Sequence, residues 1–379
     1  MSDLKWNRWV NIWISIVLFI IFIFVIPLTW IMHIFKEDYT EKEIIENYQN
    51  VLYGSAVKTG SLIKFKIIEE KQPAVVAIGS SRVMQFRADY FKNADFYTMG
   101  GTSGSIEEAQ ETFNRIKSVY VPQIVILGID LWWLNPKVDH RSHLEEREKI
   151  YNSKSMQYFQ LFSYLKDDTD MRMVLFNTST IKDRDYLGNR INVGLSAAVK
   201  SNGFRLSDGS YQEGEIIAQN PSLETKLSDI YQRMDKGNRF FNWNQDIDYD
   251  ELKKLKQLIQ DMKSNGVHVV VFLPPFPNEI YSAMCHDEHY STFLSEFEKS
   301  LENLCTEEEV YFADCSNLAW LGASDNECID GFHGSETAYA RIIYKMLEDE
   351  KLSNFVNKEF LEECIAYPVS DLQAIAPSY

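Results

Sequence analysis

The chain has 379 residues, of which 45% are apolar and 25% are charged, and its formal net charge is −17. This composition is typical of a globular protein, and the length suffices for one large hydrophobic core or two modest ones. The negative charge argues against nucleic-acid binding, because a nucleic-acid interface must offer clustered Lys and Arg side chains to replace phosphate counterions.

Residues 9–35 are an apolar stretch without a formally charged side chain and are predicted to form a transmembrane helix. Spanning a bilayer requires roughly 20 mostly apolar residues, and Trp9, Trp13 and Trp30 occupy positions where interfacial aromatic side chains are expected. The stretch is longer than the apolar part of a cleaved signal peptide, and no small-residue cleavage site follows it.

The charges that flank this stretch predict its orientation. Lys5 and Arg8 precede it, whereas a more acidic mixture that includes Glu37 and Asp38 follows it. Because basic residues favour the cytoplasmic side, we expect a single-pass protein of the cell membrane, with residues 1–8 in the cytoplasm and the folded part outside.

Beyond the apolar stretch, short apolar runs alternate with helical patterns. Five runs are predicted to be strands: 74–78, 95–97, 124–127, 267–273 and 310–313. Helical patterns cover residues 106–119, 249–264 and 335–348. This alternation predicts an α/β fold, a three-layer sandwich in which helices cover a mostly parallel sheet.

The same patterns divide the chain into segments. Residues 36–70 are predicted to be a helical spacer, residues 71–350 the α/β domain, and residues 351–379 a C-terminal tail. Residues 132–248 lack a clear strand–helix alternation and are predicted to be an insertion in the domain. Such insertions often form substrate lids, although padding of the fold explains the pattern equally well.

A serine and an Asp–His pair are the residues that carry the predicted chemistry. The turn Gly79–Arg82 follows the first predicted strand of the domain, so that Ser81 can present its hydroxyl and its backbone N–H at the start of a helix. A serine hydroxyl needs an adjacent base, usually a histidine that a carboxylate orients. Asp330 and His333 supply both groups in a loop before the last predicted helix.

This layout resembles the SGNH/GDSL hydrolase superfamily, in which the nucleophile follows the first strand in a G-D-S-L block and the triad ends in D-x-x-H. Gly79-Ser80-Ser81-Arg82 matches the first block with Ser80 in place of its Asp, which identifies Ser81 as the nucleophile. The G-x-S-x-G elbow of the α/β-hydrolases does not surround Ser81.

The resemblance also implies an oxyanion hole. Gly100 or Gly101 in the segment TMGGTSGS matches the glycine of the second block, whose amide joins that of Ser81. The third block usually reads G-x-N-D with a donating Asn, but here Asp130 occupies the position of the Asn. An ionised Asp cannot donate, so Asp130 is protonated, points elsewhere, or leaves oxyanion stabilisation to backbone amides.

The single apolar stretch and the altered blocks resemble, more specifically, DltD-like membrane-bound proteins. That resemblance implies acyl transfer or ester hydrolysis on cell-wall or exported polysaccharides, with the lipid bilayer and a multi-span O-acyltransferase as partners. It further implies substrate contacts by Trp132, Trp133 and Asn135, although packing explains the two Trp residues as well, and binding of an anionic donor by Arg82 unless that side chain bridges to an acid.

No cofactor or metal is expected, because the five Cys residues form no close CxxC pair. A noncatalytic adaptor that retains the fold and binds a carrier or a polymer is the alternative function, and Asp130 in the third block favours it.

Overall fold

A five-stranded parallel sheet forms the centre of the computed structural model, which describes residues 2–48, 51–58, 60–167 and 192–376. The strands are β1 (Leu52–Tyr53), β2 (Val75–Ile78), β3 (Phe96–Thr98), β4 (Ile124–Gly128), β5 (Asn202–Arg205), β6 (Tyr211–Glu213), β7 (His268–Leu273), β8 (Tyr311–Asp314), β9 (Cys328–Asp330) and β10 (His333–Gly334). The order in the parallel sheet is β3-β2-β4-β7-β8. The mixed α/β class and the five predicted strands are therefore confirmed.

Helices connect and flank these strands. They are α1 (Ser2–Ile20), α2 (Ile26–Ile34), α3 (Glu41–Asn47), α4 (Ser61–Lys71), α5 (Ile106–Lys117), α6 (Leu144–Asn152), α7 (Lys154–Asp167), α8 (Leu195–Lys200), α9 (Gly214–Gln219), α10 (Leu223–Lys236), α11 (Tyr249–Ser264), α12 (Asn278–His286), α13 (Ser291–Glu307), α14 (Glu336–Lys345), α15 (Glu350–Ser353) and α16 (Lys358–Ala366). A π-helical turn, Ile21–Val25, joins α1 to α2.

The core forms where apolar faces of the helices meet the sheet. In α5, Ile106, Ala109, Phe113 and Ile116 are buried at helical spacing, and Ser105 caps the helix by accepting a hydrogen bond from the Glu108 amide. Strands β2 and β4 are buried at every position, which agrees with the continuous apolar runs of their sequences.

The order in which the chain adds strands to the sheet reverses at β2. From β2 the chain passes to β3 on one side, and β4 then pairs with β2 on the other side, with Val75 aligned with both Phe96 and Ile124. In open parallel sheets, such a switch point creates a crevice outside the carboxyl ends of the strands. The segments after Ile78 and Gly128 border this crevice.

The predicted spacer and insertion are joined by a small antiparallel sheet of order β1-β5-β6. Leu52 of the spacer pairs with Arg205 of the insertion, and Phe204 pairs with Tyr211. The predicted tail also packs on the domain, since Leu361 and Cys364 of α16 are buried. Residues 168–191 of the insertion and 377–379 of the tail lie outside the described residues.

The N-terminal helix extends away from this core. Residues Arg8–Ile34 are long and apolar enough to cross a membrane, and most of their side chains are exposed. Near its end the helix contacts the folded part, where Ile31 and Met32 join a small apolar cluster with α7 and α8.

Candidate active site

Ser81 lies directly beyond the carboxyl end of β2, in the switch-point crevice. The structure places it at the start of a short 3-10 turn, Ser81–Val83, so the expected longer helix after Gly79-Ser80-Ser81-Arg82 is wrong. Gly79 is required in this turn, because a Cβ there would lie 2.3 Å from Val83 Cγ2. The Ser80 hydroxyl caps the turn by accepting a hydrogen bond from the Arg82 amide at 3.1 Å.

The structure brings the three predicted catalytic side chains together. Ser81 Oγ lies 2.9 Å from His333 Nε2, although the two residues are 252 positions apart in sequence. On the other side of the ring, His333 Nδ1 lies 2.9 Å from Asp330 Oδ1 and 3.0 Å from Oδ2. Because a carboxylate only accepts, Nδ1 carries the proton and Nε2 accepts from the Ser81 hydroxyl.

Backbone amides of the loop that carries Asp330 and His333 hold the Asp330 carboxylate in place. Asp330 Oδ1 accepts from the backbone amides of Phe332 at 3.0 Å and of His333 at 2.7 Å. Burial raises the pKa of Asp330, but the charge of His333 and these hydrogen bonds outweigh burial, so that the pKa is lowered overall. Asp330 is therefore ionised at neutral pH and accepts the hydrogen bond from His333 Nδ1.

The predicted oxyanion donors are only partly available. The Gly100 amide donates to Thr98 Oγ1 at 3.0 Å, and the Gly101 amide donates to the Ser80 carbonyl at 2.9 Å. These contacts use both glycine amides to shape the loop itself. The Ser81 amide, in contrast, has no acceptor within the described part of the chain and can donate to an oxyanion.

Arg82 and Asp130 form a buried ion pair. The relative exposure of the two side chains is 1% and 0%, and Arg82 Nη1 lies 3.2 Å from Asp130 Oδ1. Each side chain is enclosed and faces the other, which agrees with two of the alternatives that the sequence leaves open: Arg82 bridges to an acid, and Asp130 points to Arg82 and does not donate to an oxyanion. Asp130 is the counterion of a buried guanidinium, which accounts for a carboxylate at this position.

The electrostatics of this pair reflect its enclosure. Burial raises the pKa of Asp130, whereas the charge of Arg82 and the nearby Ser80 hydroxyl lower it. Asp130 Oδ2 has no hydrogen-bond partner among the described residues, so Arg82 supplies the main compensation for burying this carboxyl group.

Arg82 also connects the loops that surround the crevice. Its Nε donates to the carbonyl of Phe332 at 2.9 Å, and its Nη2 donates to the carbonyls of Pro274 at 3.0 Å and Pro275 at 2.7 Å. The guanidinium lies 3.9 Å from the ring centroid of Phe276. One side chain beside Ser81 therefore connects the ends of β4 and β7 with the loop that carries His333.

The residues predicted to line an acceptor groove are buried. Trp132 is 2%, Trp133 0% and Asn135 3% exposed. The Trp132 ring stacks on Phe240 and Phe332 with centroids 4.5 and 5.4 Å away, and Asn135 Nδ2 donates to a carbonyl of the insertion at 2.7 Å. Their burial favours the packing alternative over substrate contact, because Trp132 packs the insertion against the loop that carries Asp330 and His333.

Glu213 is a residue near the triad that the sequence analysis missed. Strand β6 places it beside the turn that carries Ser81, because the Tyr211 amide donates to the carbonyl of Met84 at 2.8 Å. Burial raises the pKa of Glu213 to about 7, while the charge of His333 lowers it and that of Asp330 raises it. No motif in the insertion indicates this proximity, which depends on the pairing of β5 with β6.

Lys64 of the predicted spacer is a second missed residue. Its buried Nζ donates to the carbonyls of Thr98 at 3.3 Å, Gly100 at 2.8 Å and Gly209 at 2.7 Å. Burial lowers the pKa of Lys64 to about 7, and the charge of Asp208 opposes this shift. Lys64 therefore connects the spacer with the loop after β3, which contains Gly100, and with the insertion.

Comparison with known proteins adds no family to this picture. No protein-family model matches the chain, and no curated protein matches it. Within the described ranges, no group of three or more His, Cys, Asp or Glu residues is arranged to hold a metal ion.

Proposed function

We propose that this protein is a serine acyltransferase or esterase that is anchored in the cell membrane and acts outside the cytoplasm. Its substrates would be acyl groups on cell-wall or exported polymers, and the reaction would proceed through an acyl-serine intermediate. The observation that carries the proposal is the continuous contact from Ser81 Oγ through His333 to Asp330, with Ser81–His333 and His333–Asp330 distances of 2.9 Å.

The geometry supports a two-step reaction. His333 Nε2 takes the proton of the Ser81 hydroxyl as Oγ attacks the acyl carbonyl, and His333 then returns the proton to the leaving group. In the second step, His333 takes a proton from a polymer hydroxyl or from water as its oxygen attacks the acyl-serine, and His333 then gives this proton to Ser81 Oγ as the acyl–Oγ bond breaks. The choice between these acceptors decides between transferase and esterase.

The SGNH-like, three-layer assignment and the DltD-like resemblance belong to the same proposal. The nucleophile after β2, the Asp–His pair before α14 and the parallel sheet support the assignment. The exposed apolar helix Arg8–Ile34 supports an anchor in the bilayer. A multi-span O-acyltransferase that supplies the acyl group is the partner that the resemblance implies.

An activity-based probe tests the catalytic proposal. The full chain, reconstituted in detergent micelles, is treated with a fluorophosphonate that reacts with activated serine hydroxyls. We expect labelling of the wild type and of Ser264→Ala, a control at an exposed hydroxyl of α11, and none of Ser81→Ala. Equal labelling of the wild type and Ser81→Ala would contradict the proposal.

The position of the folded part relative to the membrane has a separate test. Cys285 is the exposed thiol, and the other four Cys residues are buried. A membrane-impermeant maleimide should therefore label Cys285 in intact cells and fail to label Cys285→Ser. Labelling that appears only after cell lysis would place the domain in the cytoplasm.

A noncatalytic adaptor is the second candidate function, and the engaged amides of Gly100 and Gly101 favour it. An adaptor would bind its polymer or carrier whether or not Ser81 carries a hydroxyl. Hydrolysis of an activated acetyl ester separates the candidates, because turnover that disappears in both Ser81→Ala and His333→Ala excludes a purely binding role.

A further inference from the structure

Helix α7 lies against the end of the apolar N-terminal helix. Thr29 Oγ1 and the Tyr158 hydroxyl are 2.7 Å apart, and the rings of Phe24 and Phe162 meet edge to face with centroids 6.4 Å apart. Leu161 of α7 is buried in the apolar cluster that contains the end of the N-terminal helix. Tyr158, Leu161 and Phe162 thus fix α7 along the last turns of the apolar helix.

Helix α7 also carries a row of exposed apolar side chains. Met156, Phe159 and Phe162 follow one another at intervals of three residues and are 39%, 64% and 37% exposed. Residues three apart lie on the same side of a helix. An aromatic side chain as exposed as Phe159, between two other apolar ones, is unfavourable in water and marks a contact surface.

The position of this row along the apolar helix indicates its depth. Trp30 is where an interfacial aromatic is expected, and Phe24 precedes it by six residues, which is about 9 Å along a helix. Because the ring of Phe162 contacts that of Phe24, the Phe162 side chain would lie roughly 5–10 Å deep if the N-terminal helix spans the bilayer, which is the depth at which interfacial helices bury their apolar faces.

We propose that α7 is an interfacial helix whose Met156, Phe159 and Phe162 side chains insert among lipid acyl chains beside the membrane anchor. The inference rests on the proposed anchoring of the N-terminal helix. Lipid is the occupant because the exposed row is continuous with the lipid-facing surface of that helix, where the neighbouring Phe24 is 45% exposed.

This placement would also set the position of the nucleophile relative to the membrane. Lys200 Nζ of α8 lies 5.9 Å from the ring centroid of Tyr164 in α7, and β5 follows α8 directly. Strand β5 pairs with β6, whose Tyr211 amide donates to the Met84 carbonyl three residues after Ser81. A continuous series of contacts therefore leads from α7 to the turn that carries Ser81.

Site-specific fluorescence in liposomes tests this inference on the full chain. In a Cys285→Ser background, an environment-sensitive fluorophore is attached at Phe159→Cys and, as a second position in the same row, at Met156→Cys. Val17→Cys in the predicted anchor and the strongly exposed Tyr367→Cys serve as the lipid and water references. Quenching by nitroxide-labelled lipid is then compared with quenching by aqueous iodide.

We expect the labels at positions 156 and 159 to lose emission to nitroxide lipid to an extent similar to position 17, and to resist iodide. Quenching by iodide alone at 156 and 159, with position 17 quenched by lipid, would overturn the interfacial helix and leave the anchor intact. Protection of both labels from both quenchers would indicate a protein contact and would also overturn it. An unquenched label at position 17 would refute the anchor itself.

Discussion

The buried pair of Arg82 and Asp130 yields the sharpest prediction about stability. Asp130→Asn keeps the shape of the side chain but removes its charge, so that a guanidinium of 1% exposure keeps only carbonyl acceptors. Removing one partner of a buried pair costs about 3–5 kcal/mol, because the remaining charge is left uncompensated.

Arg82→Met is expected to be at least as damaging. It leaves the Asp130 carboxyl without its counterion and leaves three backbone carbonyls without their donor. An unsatisfied buried group costs roughly 1–3 kcal/mol, although protonation of Asp130 limits the loss, since burial already raises its pKa. The double variant should therefore lose less than the two single variants together, with a coupling of about 1–3 kcal/mol.

Thermal unfolding of the full chain in micelles, followed by near-ultraviolet circular dichroism, measures these effects. A loss of about 3–5 kcal/mol corresponds to a decrease in Tm of roughly 5–8 °C for a domain of about 300 residues, because the entropy of unfolding grows with the length of the chain. Lys345→Met, which removes the exposed ion pair with Glu348, is the matched control and should change Tm little. Fluorophosphonate labelling of Asp130→Asn should also slow, because Arg82 holds the carbonyl next to His333.

One result would refute this reasoning directly. If Asp130→Asn left Tm unchanged and accelerated labelling of Ser81, the introduced amide would act as an oxyanion donor. The pairing with Arg82 would then not be the reason for a carboxylate at this position.

Three further predictions concern the triad and its surroundings. Asp330→Asn should lower the turnover of an activated ester roughly 10³–10⁴-fold, because an amide donor facing Nδ1 favours the wrong tautomer of His333; unchanged turnover at equal folded fraction would contradict the assigned role. Glu213→Gln should stabilise the protein by up to about 3 kcal/mol above pH 7 and have no effect below about pH 4.5. The reason is that the pKa of Glu213 is about 7 in the folded state, so the wild type loses stability as the pH rises through this range. Urea denaturation at several pH values measures this effect, and it would show the opposite trend if the carboxyl were stabilised as an anion. Lys64→Met should lower the free energy of unfolding by about 2–4 kcal/mol, because three carbonyls lose a buried donor. Lys66→Met, at an exposed side chain, is the control and should leave the free energy of unfolding unchanged. Equal urea midpoints for the two variants would exclude this role of Lys64.

The parallel sheet could be predicted from the sequence because its strands are buried on both faces. Apolar runs such as 124–127 and 267–273, bounded by Pro and Gly, therefore mark strands without help from tertiary structure. The pairing of Leu52 with Arg205 has no such local signal, which is why the spacer and the insertion were predicted as separate segments.

The candidate site also contains residues that the sequence could identify and residues whose placement it could not. Ser81, Asp330 and His333 could be selected because turn residues place them at strand ends, where side chains converge. The burial of Arg82, Trp132 and the neighbouring side chains could not, because a polar or aromatic residue after a strand faces either the crevice or the core. For Arg82, the tertiary contact with Asp130 determines that its side chain faces the core and not the crevice.

Identification of the modified residue tests the central claim most directly. The full chain is treated with the fluorophosphonate, digested, and mapped by tandem mass spectrometry, with His333→Ala as the control that keeps the serine but removes its base. We predict a single stoichiometric adduct on Ser81 in the wild type and a strongly reduced adduct in His333→Ala. An adduct on another serine, or one on Ser81 that forms equally fast without His333, would contradict the proposed triad.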